Sequence, residues 1–312
     1  MRLNRVEFSM TFHCTGKCRH CSVGEEGAKE HPGHLSYEKM AGMLHTLSEQ
    51  FPMTSVMCFG GEPLLYPADV CAVYREARES GLPQRQLITN GFFSREPEKI
   101  RRTAAQLADA GITELLLSVD AFHQETIPLE PVMAFTQALR EDRRITVKLH
   151  PAWLVSPEDG NPYNAETRRI LRRFAALDLP VSTGNVIFPS GNAEKYLSDY
   201  FEPRELDLTA PCGAALYTTR LDQVETLSIL PDGGLCVCGF VIGNLYREPI
   251  KAIIERYDPF ADGAMEAVLR GGVGQLRAFA QEQGLPAPER DYRSACDLCR
   301  AIAKAWNLRN AQ

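Results

Sequence analysis

Apolar and polar positions alternate with two periods along residues 1–200. Short apolar runs with strand character cover Val6–Phe12, Ser55–Phe59, Gln86–Thr89, Glu114–Val119, Ile145–Leu149 and Val186–Phe188. Between them, apolar residues recur at helical spacing over Leu35–Gln50, Asp69–Ser80, Glu98–Ala110, Pro131–Glu141 and Ala165–Leu177. Ser36 stands where a helix N-cap is expected, and Gly81, Pro83 and Gly111 stand where helices stop. Six strand–helix units in this order predict an α/β fold, a partial (β/α)6 TIM-like barrel with parallel strands. In such a barrel the chemistry sits on the loops that follow the C-terminal ends of the strands.

Those loops carry the distinctive residues. Cys14, Cys18 and Cys21 follow the first strand, with gaps of three and two residues. Thiolates hold iron–sulfur clusters, and a cluster of four irons takes four protein ligands. Three close thiolates leave one iron open to a small chelating molecule. A zinc site is the alternative, but zinc wants a fourth Cys or His at finger spacing, and His13 and His20 are too near in sequence to supply it. After the second strand come Gly60-Gly61-Glu62-Pro63, where glycine admits close backbone approach and a carboxylate can pair with an ammonium group. Thr89-Asn90-Gly91 follows the third strand, and Ser118-Val119-Asp120 closes the fourth, with His123 just beyond. Asp120 suits a turn or helix cap as well as a ligand contact, and a lone His123 suits a structural role. Lys148 and His150 end the fifth strand and are expected at the barrel mouth or wall.

The C-x3-C-x2-C spacing resembles the signature of the radical S-adenosylmethionine (SAM) enzymes, and the loops after strands two to four fit the same resemblance. It implies that the open iron of a 4Fe–4S cluster takes the amino and carboxylate groups of S-adenosylmethionine, which the reduced cluster splits to a 5′-deoxyadenosyl radical. It also implies that Gly60, Gly61, Glu62 and Pro63 contact the methionine amino group, that Asn90 borders the cofactor, and that Ser118 and Asp120 hold its ribose or carboxylate. His20 takes a position usually held by an aromatic residue beside the adenine. The stretch Phe188–Ala193 resembles a "P-x-G-R-A" loop of some members, with Asn192 in place of the arginine.

Composition changes near residue 200, which predicts a core over 1–200 and a second, Cys-rich α+β unit over 201–312. Pro231-Asp-Gly-Gly234 reads as a hairpin turn between Leu227–Leu230 and Leu235–Gly239. Cys212, Cys238 and the late pair Cys296 and Cys299 resemble a reduced SPASM or twitch-like extension holding an auxiliary 4Fe–4S cluster, with zinc as the alternative. Cys236 is then spare, and residues two apart on a strand share a face. The small radical epimerases, on peptides or aminoglycosides, return a hydrogen atom from such a cysteine. Their donor directly follows a cluster cysteine, a place filled here by Gly239, so Cys236 and Cys238 remain interchangeable in role at this point. Radical oxidation, with the auxiliary cluster as electron acceptor, and an iron–sulfur redox sensor are the other readings. Cys58 and Cys71 are expected to be packed apolar thiols.

The remaining composition excludes more than it selects. Hydrophobic residues make up 44% and charged residues 24%, as in globular proteins. A net charge of −6 argues against nucleic acid as a partner, and no apolar run has the length of a membrane span. The first residues lack the apolar region of a signal peptide, so a cytoplasmic location is expected, and ten cysteines then point to metal ligation rather than disulfides. The expected partners are a peptide or small-molecule substrate and a reductant such as flavodoxin or ferredoxin.

Overall fold

The structure is a computed structural model that describes residues 1–202, 205–214, 218–286, 292 and 294–310. Its strands are β1 (Arg5–Thr11), β2 (Ser55–Gly60), β3 (Gln84–Thr89), β4 (Glu114–Leu117), β5 (Thr146–Leu149), β6 (Ala152–Trp153), β7 (Asn185–Val186), β8 (Thr226–Ile229), β9 (Gly234–Val237) and β10 (Phe240–Asn244). The first helices are α1 (Gly24–Glu30), α2 (Met43–Gln50), α3 (Pro67–Glu79), α4 (Pro97–Ala110), α5 (Ala121–Gln124) and α6 (Leu129–Asp142). They are followed by α7 (Pro162–Arg172), α8 (Asn192–Tyr196), α9 (Ile250–Glu255), α10 (Gly263–Glu282) and α11 (Ala295–Asn310). Among the described residues no helix is long and apolar enough to cross a membrane.

β1 to β5 form the expected parallel sheet, in sequence order. One face of it is apolar. Val6 and Phe8 of β1 lie in register with Val56 and Cys58, and the Phe8 row continues through Leu87, Leu115 and Val147; these residues and Met10 are all buried. Val70, Tyr74, Leu107, Val132 and Phe135 of α3, α4 and α6 cover this face. Each buried side chain of this size contributes about 1.5–3 kcal/mol relative to exposure. Cys58 and Cys71 sit in this core as ordinary packed thiols. The opposite face, with Arg5, Glu7, Ser9 and Thr11, looks into the barrel.

The sixth unit is broken. Pro151 interrupts the strand after β5, and β6 pairs with β7 in a separate two-stranded parallel sheet, preceded by a single bridge from Leu149 to Val181. The helix expected over Leu35–Gln50 is also divided. Gly42 is left-handed at φ 84°, so only Met43–Gln50 is α-helical, and Ser36 makes no side-chain cap. The expected Ala165–Leu177 helix starts at Pro162 instead, because the Asn161 side chain accepts from Asn164 N at 2.9 Å.

The turn at Pro231–Gly234 joins β8 and β9 as an antiparallel hairpin, and β10 continues it. β8 lies parallel to β1, with Glu7 opposite Ser228 and Phe8 opposite Ile229. One eight-stranded sheet therefore runs across residue 200, in the order β10-β9-β8-β1-β2-β3-β4-β5.

Candidate active site

The C-terminal ends of β1 to β4 converge on the three-cysteine loop. Gly60 and Gly61 make this close, because a Cβ on either would collide with the carbonyl oxygen of Thr11 or His13. Their backbone holds the loop instead: Gly61 N donates to Thr11 O at 2.6 Å and Glu62 N to His13 O at 2.9 Å. Cys14, Cys18 and Cys21 share this loop, Cys14 exposed, Cys18 buried and Cys21 half-buried. Asn90 Nδ2 and Gly16 N each reach Cys14 Sγ at 3.4 Å, and Gly24 N reaches Cys21 Sγ at 3.4 Å. Donors aimed at sulfur are what a thiolate-bound cluster uses to tune its potential.

Glu62 is held by donors of the protein itself. It is fully buried, and its carboxylate accepts from Leu64 N at 2.9 Å, Thr89 Oγ1 at 2.7 Å and Asn90 N at 2.9 Å. Burial raises its carboxyl to about 7, against the downward pull of these hydrogen bonds. Glu62 thus rivets the Gly60-Gly61 loop to the end of β3, with Pro63 starting the short turn behind it. Glu62→Gln would aim an amide N–H at one of three donors. S-adenosylmethionine affinity is expected to fall by about tenfold through loop displacement while cluster iron is retained. Equilibrium binding to the reconstituted variant checks this, and unchanged affinity would refute the role.

Asp120 is a cap. Its Oδ1 accepts from Phe122 N and His123 N at 3.0 and 2.9 Å, and its Oδ2 accepts from Ala152 N at 2.9 Å and lies 2.8 Å from His123 Nδ1. Burial would raise this carboxyl, but the neighbouring His123 and the hydrogen bonds hold it below the usual carboxylate range. Ser118, also buried, donates its N–H to Thr89 O. His20 packs between Phe122 and His123, at ring distances of 5.1 and 4.8 Å, and burial lowers its imidazole to about 4. Its Nδ1 is buried without a partner, and so is Nε2 of His150, whose Nδ1 meets Ser182 Oγ at 2.7 Å. Ring nitrogens of His20 and His123 and the Cys18 sulfur lie within 4.8 Å of one another. An orphaned buried nitrogen of His20 beside the cysteine loop fits a cluster carrying a polar, nitrogen-bearing organic ligand, not a closed zinc finger.

Asn192 also belongs to this site, as a part of the loop that no pairing in the sequence signals. Its N donates to Cys21 O at 2.9 Å and its Nδ2 to Cys18 O at 3.0 Å, so it clasps the cysteine loop where the resembled motif has arginine.

The family model of the radical SAM superfamily matches residues 8–200. The chain belongs to the radical SAM superfamily. Its enzymes use a 4Fe–4S cluster and S-adenosylmethionine, and this chain is such an enzyme. It is 32% identical over 120 residues to GTP 3′,8-cyclase 2 of Mycobacterium tuberculosis, a match covering 38% of this chain and 31% of that protein. It is 31% identical over 126 residues to GTP 3′,8-cyclase of Geobacter sulfurreducens, covering 40% and 36%. The chain thus spans about a third of the length of these relatives. The fold is similar to that of anSMEcpe with bound AdoMet, at a TM-score of 0.51 and 13% identity over 81% of this chain and 80% of that one.

Beyond the radical SAM core, Cys212, Cys238, Cys296 and Cys299 line one pocket with Phe240, Val268 and Val273. Cys296 and Cys299 lie three apart in the first turns of α11, on one face. Cys238 leaves β9 in the left-handed region at φ 56°, which turns it away from the strand. Cys236 is apart from this quartet. It is buried on β9, opposite Ser228, on the face away from the core residues Leu235 and Val237. Burial, with Asp232 nearby, pushes its thiol up to about 12.

Proposed function

We propose that this enzyme epimerises a carbon centre of its substrate, with Cys236 returning the hydrogen atom. In this reading residues 1–200 form the catalytic core, and 201–312 hold an auxiliary 4Fe–4S cluster on Cys212, Cys238, Cys296 and Cys299. When bound, cluster and S-adenosylmethionine supply a radical that removes a hydrogen atom from a C–H bond. The observation that carries the reading is the position of Cys236. It shares a register row with Ser228 and Glu7, on the barrel-facing side of β1. Glu7 is four residues before Thr11, so this row lies about 13 Å below the strand ends at 3.3 Å per residue. A substrate between the two levels loses hydrogen from above and receives it from the Cys236 S–H below. That transfer makes a C–H bond, breaks an S–H bond and leaves a thiyl radical. One electron from a reductant such as flavodoxin or ferredoxin, and one proton, restore the thiol.

The test is product made in deuterated water from the natural substrate, found by its stimulation of 5′-deoxyadenosine release. The inverted carbon should gain one deuterium. No gain, with a product two hydrogens lighter, would replace epimerisation by oxidation.

The likeness to proteins named GTP 3′,8-cyclase favours a second reading, a nucleotide substrate. Against it, the barrel-facing Arg5 and Lys148 are paired with Glu7 and Glu114, which leaves little net positive charge there for a triphosphate. Incubation with GTP, S-adenosylmethionine and reductant should leave GTP intact.

A further inference from the structure

The three thiols of the cysteine loop are held from two sides. Cys14 is held from the main sheet, where Asn90, at the end of β3, brings its Nδ2 to 3.4 Å from Cys14 Sγ. Cys18 and Cys21 are held from the broken sixth unit. They close one turn, in which Cys21 N donates to Cys18 O at 3.3 Å, with Arg19 and His20 at its centre. Asn192, the first residue of α8, spans that turn. Its backbone N–H reaches Cys21 O at 2.9 Å and its Nδ2 reaches Cys18 O at 3.0 Å, so one residue grips the carbonyls of both. Gly191 permits the approach: its φ is 59°, and a Cβ there would lie 2.5 Å from Ser22 O and 2.8 Å from Cys21 O. Ser190 Oγ adds a longer contact to Ser22 O at 3.3 Å.

Behind Asn192 stands a body with its own core. Buried Cys18 packs with Phe122 of α5 and with Ala152, Leu154, Ile187 and Ala193 of the sixth unit, in a core separate from the one under β1–β5. Among the described residues, the ladder contact of this unit with the main sheet is the single Leu149–Val181 bridge. The span from Cys18 to Cys21 therefore follows the sixth unit, whereas Cys14 follows β3.

We propose that Asn192 is a positioning residue that fixes the Cys18–Cys21 span and so ties the geometry of the cluster ligands to the sixth unit. It acts through the two cysteines and through His20 between them. The two hydrogen bonds fix the orientation of two peptide planes, and loss of the side-chain amide removes one of them while the backbone N–H keeps the other. This step rests on radical SAM membership and holds whichever reaction the substrate undergoes.

The test uses the full chain with its clusters reconstituted and reduced. The cluster on the triad is the one whose electron paramagnetic resonance signal changes when S-adenosylmethionine is added. Asn192→Leu keeps the size and the charge but has no donor for Cys18 O. It should retain about eight irons, broaden that signal because the span takes a range of values, and weaken S-adenosylmethionine binding about fivefold through a displaced His20. Asn192→Gln, with the same amide on a longer arm, should recover part of both. Ile187→Ala loosens the core of the sixth unit and removes no hydrogen bond of the cysteine loop; it should broaden the signal too, with Ile187→Val in its place should the alanine variant not fold. Ile100→Ala, on α4 in the main core, should leave the signal sharp. An unchanged signal and affinity in Asn192→Leu at full iron would overturn the proposal. So would a wild-type signal in the Ile187 variant, or equal broadening in Ile100→Ala. If Asn192→Leu sheds the iron of the triad, Asn192→Gln decides: retained iron and signal support the amide grip, and equal loss refutes it.

Discussion

Replacing Cys14, Cys18 and Cys21 together by alanine is expected to halve the iron of the reconstituted protein and abolish release of 5′-deoxyadenosine. With a cluster at each end of the chain, the wild type should hold about eight irons and the triple variant about four. Removing Cys212 and Cys299 should take away the other half while leaving cofactor cleavage measurable. The asymmetry follows from geometry. The first triad is bound to the loops of Gly61, Glu62, Asn90 and Asn192 by short hydrogen bonds, while the four late cysteines share a pocket with Phe240 and Val268 far along the chain. Iron and sulfide analysis, with electron paramagnetic resonance of the reduced protein, reads the result. Full iron in the triple variant would remove the assignment of the triad.

The parallel barrel was legible because its signals are local. Apolar runs in β1 to β5 alternate with amphipathic helices, and Gly111 ends α4 in the left-handed region, as its type foretells. The cap role of Asp120 was legible as one of two readings, since an Asp just before a helical turn carries its partners two and three residues ahead. What escaped involves distance along the chain. Glu62 finds its donors at Thr89 and Asn90, separations of 27 and 28 residues, and nothing local distinguishes that burial from an open carboxylate. Asn192 clasps Cys18 from 174 residues away. The docking of β8 beside β1 joins Thr226 to Arg5, and only that pairing puts Cys236 on the barrel-facing side. The broken sixth strand could have been anticipated from Pro151 and Pro180, which remove backbone donors where the ladder would run.

The exchange of roles between Cys236 and Cys238 gives the second large effect. The two residues are neighbours but one, and the turn at Cys238, with φ 56°, sends them to different surroundings. Cys238 meets Cys212 and Cys299 in one pocket, whereas Cys236 faces Ser228 across the hairpin. Cys236→Ala should therefore keep about eight irons and still cleave S-adenosylmethionine, while Cys238→Ala should fall toward about four. With substrate present, Cys236→Ala should abolish the deuterium delivered in heavy water, because a methyl group has no hydrogen weak enough to give. The substrate radical would then persist or be quenched without inversion, and substrate-dependent 5′-deoxyadenosine would form without epimer. If Cys236→Ala loses the late cluster and Cys238→Ala keeps it, the two thiols trade places. If both variants still deliver solvent hydrogen to an inverted carbon, the hydrogen comes from neither, and the position of Cys236 on the barrel-facing row has another purpose.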